Sequence, residues 1–76
     1  MIQSYKQLFD TLSSGRRVLC LPTNKVLRFE DIPSELLDVY HNGEFKNEFG
    51  TLTMTDQGNI SMGGKLVPLP VLVPIS

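Results

Sequence analysis

Thr51-Leu52-Thr53-Met54-Thr55-Asp56-Gln57-Gly58-Asn59-Ile60-Ser61-Met62-Gly63-Gly64-Lys65-Leu66-Val67 alternates apolar and polar side chains with a period of two. That period belongs to strands with one covered face. Two turn signals divide the run. Asp56-Gln57-Gly58-Asn59 is one. Gly63-Gly64 is the other, a two-residue hairpin turn in which both positions can take positive φ. Three strands follow, over 52–54, 60–62 and 65–67. Short turns between them imply antiparallel pairing.

Upstream the period is helical. Ile2, Tyr5, Leu8, Phe9 and Leu12 recur at three- and four-residue steps and predict an amphipathic helix over 2–13, stopped by Ser13-Ser14-Gly15. Val18-Leu19-Cys20-Leu21 is a continuous apolar run, too short for a helix, and reads as a strand buried on both faces. Pro22-Thr23-Asn24-Lys25 turns the chain into a second strand, Val26-Leu27-Arg28-Phe29. Glu30 to Leu37 then carries helix-start signals. Pro33 suits a first turn, and acidic residues at 31, 35 and 38 suit the positive end of the helix dipole. His41-Asn42-Gly43 ends that helix. The predicted fold is a small α+β single domain over 1–76 in the order α-β-β-α-β-β-β, a mainly antiparallel sheet packed by one or two helices. Its expected core is Tyr5, Phe9, Leu12, Val18, Leu19, Leu21, Leu27, Phe29, Leu36, Tyr40, Leu52 and Met54, with Phe45 and Phe49 as further large contributors.

Downstream, Leu66 to Ile75 is almost wholly apolar but interrupted by Pro68, Pro70 and Pro74. Proline cannot donate to a ladder and belongs at sheet edges or in unpaired chain. The simplest reading is a final edge strand on the chain's own core. The alternative is an arm, with Val71 and Val73 as contact residues, that docks on a second copy and makes a homodimer. The stretch is about half the roughly 20 residues a membrane span needs, so no membrane partner is expected. The first residues lack the charged start and apolar run of a secretory signal. With one cysteine, a reducing cytoplasmic setting is expected.

Seventy-six residues with formal net charge −1 hide a segregation. Residues 1–30 carry five basic and two acidic side chains, and residues 31–50 carry five acidic and one basic. Arg16, Arg17, Lys25 and Arg28 flank the first hairpin, and a basic hairpin can follow a nucleic-acid backbone. The composition is not basic, however, and aromatic residues do not interleave with the cations as base-stacking surfaces require. Glu35 and Asp38, at near-helical spacing with Asp31, form an acidic helix face suited to electrostatic contact.

Motifs for chemistry fail on spacing. Gly58 to Gly64-Lys65 has one residue too many for a phosphate loop, and Leu66 stands where Ser or Thr would hold magnesium. Asp56 is the only carboxylate near the Asp56–Asn59 turn, too few for a calcium loop. Cys20 and His41 are too few for a zinc site. Between Leu19 and Leu21, Cys20 reads as a packed hydrophobe rather than a nucleophile. No catalytic residue, cofactor or metal is expected. The sequence favours a non-enzymatic protein-binding module, a regulator or inhibitor of a larger cytosolic assembly. The alternatives are a nucleic-acid-binding protein using the basic hairpin and a small subunit of a multi-protein enzyme.

Overall fold

A computed structural model describes residues 1–76. Helix α1 spans Tyr5–Ser13 and helix α2 spans Ser34–Asn42. Strands β1 (Val18–Cys20) and β2 (Lys25–Leu27) form the first hairpin. Strands β3 (Glu44–Asn47), β4 (Gly50–Met54), β5 (Ile60–Met62) and β6 (Lys65–Leu66) form a four-stranded antiparallel meander. The last strand, β7 (Leu72–Pro74), returns to pair antiparallel with β1, giving a second sheet in the order β2-β1-β7. The class is α+β, as the sequence predicts. The order gains β3, β7 and a 3-10 turn over Phe29–Asp31.

Local chemistry sets the boundaries. Ser4 caps α1, its Oγ accepting from the Gln7 amide at 3.1 Å, so the helix starts there rather than at residue 2. Pro33 precedes α2, and the acidic residues before it fall in the 3-10 turn. Gly43 ends α2 in the left-handed conformation, with φ 89°. Gly63 and Gly64 both take positive φ, as their hairpin turn requires.

One apolar cluster joins the elements: Ile2, Leu8, Phe9, Leu12, Val18, Cys20, Val39, Ile60 and Leu72. α1 lies on β1, and α2 lies against β3 and β4. Phe9 links the two helices, with its ring centroid 5.4 Å from that of Tyr40. The C-terminal stretch adopts the self-packed edge arrangement. Leu72 is buried, the Ile2 amide donates to its carbonyl at 3.1 Å, and the Tyr5 hydroxyl donates to the Pro68 carbonyl.

Three expected core residues lie outside. Leu21 is 49% exposed, Phe29 38% and Phe49 86%. β1 is covered on one face only. Val18 and Cys20 point into the core, while Leu19 and Leu21 take the opposite side of the pleat, for which so short a chain has no second layer. Phe29 has left the strand for the 3-10 turn, and Phe49 occupies the tip of the β3–β4 hairpin. Tyr5, Leu27, Leu36, Tyr40, Leu52 and Met54 are half-buried against the cluster, and Leu19 is half-buried on the other side of its sheet. No helix is long and apolar enough to cross a membrane.

Gly58 brings the β4–β5 turn against α1. Its carbonyl accepts from the Lys6 amide at 2.9 Å, and its φ is 84°. A β-carbon there would lie 2.8 Å from the Lys6 β-carbon. Gly58→Ala is therefore expected to destabilise the fold by about 1–3 kcal/mol, combining left-handed strain with the clash. Urea unfolding checks this, and an unchanged midpoint would mean the turn does not rest on the helix.

Candidate functional site

The side of α1 that faces the 3-10 turn is incompletely filled. α1 supplies Tyr5, Leu8, Phe9 and Leu12 to one wall of a cleft of about 250 Å³. Leu27, Ile32, Pro33 and Leu36 form the opposite wall, and Pro70 and Leu72 close one end. Only Arg28 and Asp31 among its lining residues are charged. Pro33, which opens α2, and Pro70, in the stretch before β7 that belongs to no strand, border the cleft. The volume lies below the roughly 300–1,000 Å³ of small-molecule and cofactor sites and suits one large apolar side chain.

A second cleft adjoins it, sharing Leu12 and Arg28, and is lined also by Gly15, Arg16, Arg17, Phe29 and Glu30. The structure thus brings together three of the four basic residues singled out from the sequence. Their states differ. Arg28 is neutralised locally. Its amide and Nε donate to Asp31 Oδ2 at 3.0 and 3.4 Å, and its guanidinium lies 3.4 Å from Glu30. The hydrogen bonds from Arg28 hold the Asp31 carboxyl below its ordinary range. Arg16 and Arg17 form no ion pair with an Asp or Glu side chain. Arg16 Nε donates to the Ser76 carbonyl at 2.7 Å, and Arg17 donates from its amide and Nε to Ser76 Oγ, both at 3.1 Å. Two exposed cations at the mouth of an apolar cleft make a surface complementary to a carboxylate beside a hydrophobic group.

The other sequence candidates lie elsewhere. Lys25, exposed at the start of β2, lines neither cleft. Glu35 and Asp38 are exposed on α2 and line neither cleft. Val71 is exposed, and Val73 is half-buried opposite Leu19 in the β1–β7 ladder. Cys20 is buried and His41 exposed in the last turn of α2, its ring beside Tyr40. No three metal-capable side chains converge. The apolar cleft itself escaped the sequence reading, because Ile32, Leu36 and Pro70 register there only as core or punctuation. No protein-family model matches this chain, and comparison with curated proteins and with solved structures finds no match either.

Away from the clefts, Asp10 joins the helices. Tyr40 donates its hydroxyl to Asp10 Oδ1 at 2.6 Å and Lys6 Nζ donates to Oδ2 at 3.0 Å. The Tyr40 hydrogen bond, then that of Lys6, lowers the Asp10 pKa from its ordinary 3.8. A depressed carboxylate contributes stability above its unfolded value and loses it as pH falls through the folded one. Asp10→Asn is therefore expected to melt below wild type at neutral pH, with the gap closing as pH drops under 3.8. Paired thermal melts across acid pH check this; a gap independent of pH would assign the effect to packing alone.

Proposed function

We propose that this chain is a non-enzymatic protein-binding domain, a regulator or inhibitor of a larger cytosolic assembly. It holds a partner polypeptide by one large apolar side chain in the 250 Å³ cleft and by a neighbouring carboxylate on Arg16 and Arg17. The observation that carries this reading is the adjacency of the two clefts. The apolar pocket supplies affinity through desolvation, and the exposed guanidiniums of Arg16 and Arg17 supply direction and association rate. The buried, unpaired Cys20 is in keeping with a reducing compartment. A small subunit of a multi-protein enzyme would use the same surface on its larger neighbour.

A nucleic-acid reading draws on one observation, the grouping of Arg16, Arg17 and Arg28 with the half-exposed Phe29, since bases stack on aromatic rings beside cations. Against it, Glu30 lines the same cleft and Arg28 is held by two carboxylates. Selection of random peptides displayed against the immobilised protein separates the readings. Peptides combining Phe, Leu or Trp with Asp or Glu are expected, and their retention should be lost in R16E/R17E. Recovery of no such peptides, together with binding of labelled oligonucleotides that falls steeply and linearly with salt on logarithmic axes, would favour nucleic acid.

A further inference from the structure

The chain displays a segment of the chemistry this cleft selects. At the tip of the β3–β4 hairpin, Glu48 and Phe49 are adjacent, and both are exposed; Phe49, at 86%, is the most exposed large apolar side chain in the structure. The tip is shaped. The Phe49 amide donates to Asn47 Oδ1 at 2.8 Å, and Asn47 pairs with Gly50 across the turn. Phe49 does not reach its own chain's cleft, because it lines neither pocket and stays in solvent. A free phenylalanine held up on a two-stranded ribbon is costly in water and is shaped for insertion.

We propose that the β3–β4 tip of one copy docks in the apolar cleft of a second copy, with Phe49 in the pocket and Glu48 facing Arg16 and Arg17. The proposal rests on the reading of the cleft as a protein-docking site. Charge complementarity favours a second copy as the occupant. Glu44 and Glu48 stand on the hairpin with one cation, Lys46, which already lies 4.0 Å from Glu44, while Arg16 and Arg17, exposed and hydrogen-bonded to Ser76 but to no Asp or Glu side chain, stand at the receiving side. The two surfaces are different parts of the molecule, so the contact is head-to-tail. One contact leaves one free tip and one free cleft per pair, which either close on each other as a reciprocal two-fold dimer or carry association on into a larger ring or an open chain. A foreign polypeptide of the same chemistry would compete for the cleft and break the chain, coupling partner binding to disassembly.

Light scattering and sedimentation of the 76-residue chain from micromolar to millimolar concentration test this. Wild type is expected to rise in mass to the dimer or beyond. Phe49→Ser and the pair R16E/R17E should each remain monomeric, with association weakened about tenfold or more. Mixed together, they should form a one-to-one dimer and nothing larger, because the mixture holds one intact tip and one intact cleft per pair. Phe49 touches nothing in the core, so Phe49→Ser keeps the fold and decides the matter even if the arginine pair fails to fold. A wild type that stays monomeric throughout, or a Phe49→Ser protein that associates like wild type, would overturn the proposal. Where wild type is monomeric yet Phe49→Ser still retains the displayed acidic peptides, self-docking is wrong and the cleft reading stands. Where neither protein retains peptides, the cleft reading itself has failed.

Discussion

Phe9→Ala is expected to remove about 3–5 kcal/mol of stability, the usual cost of emptying a buried phenylalanine site. Phe9 is 2% exposed and stands between Tyr5 and Tyr40, at ring-centroid distances of 6.2 and 5.4 Å. It is therefore the side chain through which α1 and α2 meet. A domain of this length holds only about 4–11 kcal/mol in total. The loss consumes about a quarter or more of that, and Phe9 lines the open cleft, so its removal enlarges that void. Far-ultraviolet circular dichroism during heating should show a low, broad transition or none. A cooperative melt within a few degrees of wild type would show that the helix pair does not depend on this contact.

Removal of residues 68–76 is expected to abolish the folded monomer. Those nine residues supply β7, which closes one edge of the β2-β1-β7 sheet, and Leu72, which is 1% exposed. They also supply the acceptors for the Tyr5 hydroxyl, the Ile2 amide, the Leu21 amide and the Arg17 amide. Without them Val18 and Cys20 lose their neighbour strand and α1 loses part of its seat. Leu72→Ala, expected to cost about 2–5 kcal/mol, isolates the side chain from the backbone pairing. A truncated chain that melts like wild type would mean the segment is an appendage and the three-stranded sheet does not need its edge.

Periodicity carried much of the fold because it reports local geometry. The α1 stripe, the period of two over 51–67 and the double-glycine turn all follow from one residue's relation to its near neighbours. The same reasoning failed where burial depends on what the rest of the chain brings. A continuous apolar run such as Val18–Leu21 suits a strand covered on both faces, yet a chain of 76 residues has no layer for the second face, and Leu21 stays in water. Ser4-Tyr5-Lys6-Gln7 is a readable cap signal that sets the start of α1 at residue 5, but the hydrophobic stripe runs through it to Ile2. Ile2 is buried all the same, outside the helix and against Leu72. Phe49 shows the converse. Flanked by Glu48 and Gly50, it carries a turn signature, and its aromatic ring had suggested core.

The candidate site was partly legible. Arg16, Arg17 and Arg28 stand out as a basic group in sequence, and they meet in space because β1 and β2 are joined by a tight turn. The cleft they border is a tertiary void between α1, the residues around the 3-10 turn and the start of α2. No spacing rule encodes an absence of atoms. Glu35 and Asp38, expected to form an acidic contact, are exposed on α2 outside both clefts, and Glu48 on the hairpin tip is a further exposed carboxylate.

The most direct test of the docking cleft is a nuclear magnetic resonance titration of the nitrogen-15-labelled protein with a short acidic peptide carrying a single phenylalanine. A version with serine in place of that phenylalanine serves as control. Shift changes are expected to concentrate at Leu8, Leu27, Arg28, Ile32 and Leu36, with smaller ones at Arg16 and Arg17 and none with the serine peptide. Shifts spread over the outer face of β4–β6, or equal shifts from both peptides, would contradict docking in the cleft.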